Sequence, residues 1–362
     1  MLTTIVSTIV VLGVLIFVHE LGHFLVAKWA GVAVLRFSLG FGPRVIGVKR
    51  GDTDYCLSLI PLGGYVKMLG EEPDQEVSED QLARSFANQS VSKRIGIVFA
   101  GPLANMLLAV VIFAVIYASS GIPVLTTEIG SITAGSPAEK ADLRAGDKVL
   151  HINGKPLSSW DELSQTIEEY GDKPLTLDIQ RGDESLTLQV TPVVNEVKNI
   201  FGEPVRRPLI GVTASGKVFI KEVNPLWAGY YSLVQSWNLS KLFLLTVVKL
   251  VQGVVPLQTL GGPILIAQMA GQQANEGMLN LINFMALISI NLAVLNLLPI
   301  PILDGGHLLF FLLEAVLRRP ISVKKVELAQ KVGLALLLLL MVVVFYNDIM
   351  RLLPGHKPEF LP

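Results

Sequence analysis

VHELGHF, residues 18–24, interrupts an apolar run that extends from residue 4 to residue 27. A membrane-crossing helix needs about 20 consecutive apolar residues, and ionisable groups inside one are costly enough to imply a function. In a helix, His19 and His23 stand one turn apart on one face, about 6 Å along the axis. That spacing lets both imidazoles reach one zinc ion and leaves the intervening Glu20 to act as general base towards water. Chance would place an H-E-x-x-H in this chain, with its five histidines, roughly 0.003 times. The pair therefore reads as half of a metal site rather than as two core histidines bonded to neighbouring helices.

The surrounding composition agrees with a membrane setting. Of 362 residues, 51% are hydrophobic and 16% charged, whereas soluble domains carry about 25% charged residues. The expected fold class is a polytopic α-helical membrane protein with about four transmembrane helices. Four stretches have the length: residues 4–27, 97–118, 279–300 and 328–349. A fifth, residues 239–255, is shorter and carries Lys241 and Lys249, so it reads as an interfacial helix or a tilted span. The formal net charge of −1 gives no nucleic-acid footprint. Cys56 is the single cysteine, which excludes an intrachain disulfide framework and a cysteine-rich zinc site. No basic residue precedes Lys28, and no small-residue cleavage pattern follows the first apolar run, so that run is expected as a retained helix rather than a signal peptide.

Between the first two spans, the stretches VLRFSLGFG, RVIGVKR and YCLSLIPLGGYVKML alternate and turn as β-hairpins do. The acidic run EEPDQEVSEDQ that follows reads as solvated. Between the second and third spans, about 110 residues of ordinary soluble sequence mark a small α/β domain held outside the bilayer. Orientation follows from the basic residues near the span ends. Lys28, Arg36, Arg44, Lys49, Arg50, Lys67, Arg84, Lys93 and Arg94 lie in the loop after the first span, and Arg318, Arg319, Lys324, Lys325 and Lys331 in the loop after the third. Both loops are expected inside, with the N-terminus and the soluble domain outside.

A catalytic zinc takes three protein ligands and keeps an open position. His151 falls in the soluble domain and His356 near the C-terminus, so neither is well placed. The stretch NLLPIPILDGGH, residues 296–307, offers Asp304 and, as an alternative, His307. A Pro-interrupted, Gly-ended segment at membrane depth is tolerated only where it lines a polar cavity. With the first span running inwards, His19 lies roughly 23 Å from its outer end, past the midplane. Asp304 follows the inner end of the third span, so both halves of the site fall on the cytoplasmic side.

HELGH, the GPLAN stretch at residues 101–105 and NLLPIPILDGG, in this order along the whole chain, resemble the site-2 protease family of intramembrane zinc metalloproteases. The resemblance is greatest to its bacterial regulator of sigma-E protease (RseP) branch. It implies that His19, His23 and Asp304 hold one Zn2+ per chain and that Glu20 activates water. It also implies that Asn296 helps bind substrate or stabilise the developing oxyanion. Asn291 matches a second family asparagine, which would grip unwound substrate or bond to a neighbouring helix. Gly64, Tyr65, Val66 and Lys67 resemble the family's membrane re-entrant β-hairpin, whose edge strand could pair with substrate or simply pack. The soluble segment resembles a circularly permuted PDZ domain, with Leu209, Ile210, Gly211 and Val212 as a loop that would take a peptide or act within a steric filter. Relatives with two tandem PDZ domains are known, and this chain has room for one.

The expected organisation is residues 1–120 (two spans and the β-hairpin region), 121–215 (PDZ domain) and 216–362 (interfacial helix and two spans). The expected function is an intramembrane metalloendopeptidase acting on membrane proteins with a transmembrane helix, already trimmed on the outer side. Anti-sigma-factor-type substrates and signal-peptide remnants fit that description, and the location is the bacterial cytoplasmic (inner) membrane, in contact with lipid and with no nucleic-acid partner. The sequence leaves two other classes open. A metal-ion transporter could use the same ligands, and a PDZ scaffold could retain an inactive site.

Overall fold

The computed structural model describes residues 1–71 and 77–353. His356 and much of the acidic run at 72–76 lie outside the described residues. The chain separates into two compact units, one formed by residues 1–116 and 226–362 and the other by residues 117–225.

In the first unit, helix α1 (Leu2–Trp29) and helix α2 (Val91–Ser120) flank a β region made by β1 (Val34–Arg50) and β2 (Thr53–Met68). At 28 residues, α1 is about 42 Å long, enough to cross a bilayer. Its buried residues, Ser7, Val11, Leu15, His19, Gly22, His23 and Ala27, form one stripe at spacings of three and four. Ile5, Val6 and Ile9 on the other side are exposed, a distribution that suits lipid rather than water. The stripe passes through both histidines, so the polar groups face protein.

Strands β1 and β2 form more than one hairpin. Phe37, Ser38 and Leu39 each face two partners, one among Gly64–Val66 and one among Tyr55–Leu57. Residues 34–39 are thus central, and residues 64–68 are left at an edge.

Helix α2 bears Pro102 in its interior. The first unit resumes after the insertion with four further helices before the last: one at Pro225–Val251, one at Pro263–Glu276, one at Met278–Asn296 and one at Asp304–Leu317, and the chain's final helix runs from Val323 to Leu352. Among the described residues, four helices are long and apolar enough to cross a membrane: Leu2–Trp29, Val91–Ser120, Met278–Asn296 and Val323–Leu352. The Pro225–Val251 helix is not one of them. It begins 14 residues earlier than expected, because Ala228, Ser232 and Ser236 recur four apart and bury one face, a pattern of small residues without hydropathy. The third span ends at Asn296 rather than residue 300, since Pro299 and Pro301 cannot continue a helix.

The second unit contains β3 (Ile122–Leu125), β4 (Ile129–Ile132), α3 (Pro137–Lys140), β5 (Lys148–Ile152), β6 (Lys155–Pro156), α4 (Trp160–Tyr170), β7 (Leu175–Arg181), β8 (Glu184–Val190), β9 (Val193–Lys198), β10 (Pro204–Leu209), β11 (Val212–Ala214) and β12 (Val218–Lys221). A four-stranded sheet in the order β6-β5-β7-β8 carries the core. Strand β7 shows the period-two pattern of a half-buried strand, with Leu175, Leu177 and Ile179 wholly buried against Leu163 and Ile167 of α4. Ser159 caps α4 by accepting from the Glu162 amide, while the Glu162 carboxylate accepts from the Ser158 amide. The first unit's later helices are, in chain order, α5 (Pro225–Val251), α6 (Pro263–Glu276), α7 (Met278–Asn296), α8 (Asp304–Leu317) and α9 (Val323–Leu352).

Candidate metal centre

The helical register of α1 sets His19 and His23 side by side, with their Nε2 atoms 3.2 Å apart. Asp304 is the first residue of α8, and its Oδ2 lies 3.2 Å from His19 Nε2 and 3.6 Å from His23 Nε2. His19, His23 and Asp304 are the group of ligand atoms that gathers here, all within 4.8 Å of one another. His307, one helical turn on, lines the adjoining cavity without joining that group.

The spacing can be tested against the metal. Tetrahedral zinc with ligands at 2.0–2.2 Å sets ligand atoms about 3.3 Å from one another. The three observed separations bracket that value. Asp304 Oδ2 is buried, and the polar atoms beside it are the Nε2 atoms of His19 and His23. Two imidazole nitrogens and a carboxylate oxygen gathered at one buried point form a donor set for a cation, which would offset the cost of burying the carboxylate. The residues therefore fit zinc.

Helix α2 holds the two imidazoles from behind. His23 Nδ1 donates to the Ile97 carbonyl at 2.9 Å, which turns the Nε2 lone pair toward the centre. Asn105 Nδ2 lies 3.5 Å from His19 Nδ1. Between them, Gly101 leaves room for the rings, because a Cβ there would fall on the His23 imidazole. On α1, a Cβ at Gly22 would overlap the Ala100 carbonyl, so the glycine of HELGH permits the close approach of the two helices. From α7, Ser289 Oγ donates to the Asn105 carbonyl at 2.7 Å, and Asn296 Nδ2 lies 3.4 Å from His19 Nε2.

Glu20, His19, His23 and Asp304 open onto a cavity of about 710 Å³. Gly64, Tyr65 and Val66 of the β2 edge line it too. The Val66 backbone lies near the Glu20 carboxylate, and the Glu20 side chain packs against Gly64, where an added Cβ would stand 3.1 Å from its Cγ. The general-base candidate thus packs against the edge strand. Arg36 donates to the Tyr65 hydroxyl at 3.2 Å, and the Tyr65 ring lies parallel to Phe41. Lys67 pairs with Arg36 in the sheet and is not among the cavity-lining residues described. Further along the cavity, Arg94 donates to Glu314 at 2.6 Å, with Phe311 under its guanidinium.

Asn291 is half-buried on α7 and is not among the described residues that line the cavity. In the second unit, Leu209 ends β10, Val212 opens β11, and Gly211 turns between them at φ +85°. The Thr133 and Ala138 amides donate to the Gly211 and Ile210 carbonyls, which fixes this loop from one side. Gly101 and Ser289 were not anticipated as parts of the site. The signal for the first was in the spacing: residues 97, 101 and 105 recur every four positions on one face of α2.

The family model of peptidase family M50 matches residues 7–340. The chain belongs to peptidase family M50. Among its relatives, zinc metalloprotease RasP of Geobacillus kaustophilus is 33% identical and aligns over 97% of this chain and 98% of its own. A Rhizobium meliloti protein is 36% identical over 96% of each chain. Among solved structures, the PDZ domain of an SdrC-like protein from Listeria monocytogenes aligns at 22% identity with 24% of this chain and 84% of its own, with a TM-score of 0.20. As an M50 (site-2 protease) member with four apolar helices, the chain is a membrane metalloprotease, which sets the peptidase reading above a transporter or an inactive scaffold.

Proposed function

We propose that this M50 peptidase hydrolyses peptide bonds within or at the cytoplasmic margin of the transmembrane segments of other membrane proteins. The observation that carries the proposal is the convergence of His19, His23 and Asp304 beside Glu20 and the β2 edge, all on one cavity. His19, His23 and Asp304 would hold one zinc per chain. When bound, zinc supplies Lewis-acid polarisation of the scissile carbonyl and lowers the pKa of water. Glu20 takes a proton from the attacking water and passes it to the departing amine. The Asn296 amide, near His19 Nε2, is in reach of a developing oxyanion and stabilises it.

A transmembrane helix satisfies its own backbone, so a substrate must unwind before its carbonyls can react. The edge at residues 64–67 offers replacement hydrogen bonds by strand addition and presents the unwound chain to Glu20. Asn291 would contact the unwound segment from α7. We assign residues 121–215 as a circularly permuted PDZ domain, outside the inner membrane by the charge-derived topology, with Leu209–Val212 as its peptide loop or part of a steric filter. There it would exclude substrates whose outer domains are still bulky. Pre-trimmed anti-sigma-factor-type proteins and signal-peptide remnants meet that condition.

The test is reconstitution with a single-span substrate of known sequence, with fragments mapped by mass spectrometry. Cleavage inside or within a few residues of the span by wild type, and its loss in Glu20→Gln, is expected. Cleavage confined to soluble loops, or an active Glu20→Gln protein, would overturn the proposal.

A further inference from the structure

Asn105 closes the GPLAN stretch, and the proposed reaction gives its side chain no task. It is completely buried, at 0% exposure. Its Oδ1 has no hydrogen-bond partner among the described residues, while its Nδ2 stands 3.5 Å from His19 Nδ1. A buried amide oxygen without a donor is unfavourable.

The two ends of an amide exchange by a half-turn of its terminal torsion. With Nδ2 donating to Nδ1, the His19 ring proton sits on Nε2, aimed at His23 Nε2 and Asp304 Oδ2. A metal at that point needs the Nε2 lone pair, so the proton must move to Nδ1, and Nδ1–H then needs an acceptor. After the half-turn, Asn105 Oδ1 is that acceptor, and its missing donor is supplied in the same step. Among the described residues, His19 Nδ1 has no other hydrogen-bond partner. The Asn105 backbone is itself pinned, since Ser289 Oγ donates to its carbonyl at 2.7 Å.

We propose that Asn105 is a positioning residue: its amide carbonyl accepts the His19 Nδ1–H and so presents the Nε2 lone pair to the metal. Helix α2 then sets both imidazoles from a single face, through the Ile97 carbonyl for His23 and the Asn105 side chain for His19. The inference rests on the reading of His19 as a zinc ligand.

The experiment measures zinc affinity by chelator competition in purified wild type, Asn105→Leu, Asn105→Asp and His19→Ala, together with the d–d absorption of each Co2+-loaded protein. Asn105→Leu removes the acceptor at nearly constant volume, and Asn105→Ala replaces it should the leucine variant fail to fold. Loss of an outer partner of a ligating histidine weakens metal binding about 10–100-fold, and that loss with a shifted Co2+ band is expected for the acceptor-free variant. Asn105→Asp keeps an acceptor and should return affinity to within a few-fold of wild type. Wild-type affinity in Asn105→Leu with loss in His19→Ala overturns the Asn105 role alone, as does equal weakening in the Asp and Leu variants. Retention of zinc by His19→Ala overturns the ligand assignment and this proposal with it.

Discussion

Gly101→Ala adds one methyl group to the face of α2 that supports the metal centre. An ideal Cβ at this position would stand 2.9 Å from His19 Cε1 and would fall closer still on the His23 ring. Ordinary contact begins at 3.4 Å, so the His19 ring must withdraw by at least about 0.5 Å and the His23 ring by more. Metal–ligand distances tolerate about 0.2 Å, and a misplacement near 1 Å costs about 100-fold in rate. We therefore expect zinc affinity and cleavage to fall at least ~100-fold, read by chelator competition and by turnover of a single-span substrate. Gly96→Ala on the same helix is the control. Its Cβ would meet only Val26 Cγ1, at 4.0 Å, and the helix gains up to about 1 kcal/mol in propensity. Wild-type zinc binding and activity in Gly101→Ala, with the Gly96→Ala protein also intact, would refute the placement of α2 behind the imidazoles.

Other expectations follow from the same physics. Asp348 of α9 has a side-chain exposure of 0% and accepts from the Gly262, Ile264 and Leu265 amides, capping α6 from 83 to 86 residues away in sequence. Asp348→Ala should cost about 1–3 kcal/mol, measured as a lowered denaturation midpoint in detergent; an unchanged midpoint would discard the cap. In the second unit, burial pushes the Asp147 carboxyl up, but donation from Arg181 and the Arg144 amide outweighs this and holds it below the usual range. A lowered folded-state value stabilises above the unfolded value of about 3.9 and is lost as pH falls further. Unfolding followed by Trp160 fluorescence, with the other tryptophans replaced by phenylalanine, should show this loss below about pH 4, and Arg181→Met should reduce it, leaving the part due to the Arg144 amide. Finally, adding zinc to stripped protein should raise the thermal midpoint of wild type, by about 4 kcal/mol of stabilisation at 1,000 times Kd, and should leave His23→Ala unmoved.

The halves of the centre were readable in sequence because each rests on local chemistry. The His19–His23 spacing encodes a shared helix face, and Pro299 and Pro301 announce an irregular segment before Asp304. What surrounds them was less readable. Helix α8 starts at Asp304 through a Gly305–Gly306 pair that reads as a helix end, yet those glycines tuck against the carbonyls of Leu297, Leu298 and Ile300, where a side chain would collide. Helix α6 is capped by Asp348, a contact that no local pattern carries. The β region was expected as hairpins, and only the pairing of Phe37–Leu39 with two partners shows why residues 64–68 end at an edge beside Glu20. Asn105 was singled out as part of a motif, but its relation to His19 depends on how α1 and α2 cross at Gly22 and Ala100.

The most direct test of the centre is zinc K-edge X-ray absorption on the purified wild-type protein, with metal content measured on the same sample. One zinc per chain is expected, with two imidazole nitrogens at about 2.0–2.1 Å and oxygen completing the shell, one carboxylate oxygen being lost in Asp304→Ala. Substoichiometric zinc, sulfur in the shell, or a shell unchanged by Asp304→Ala would contradict it.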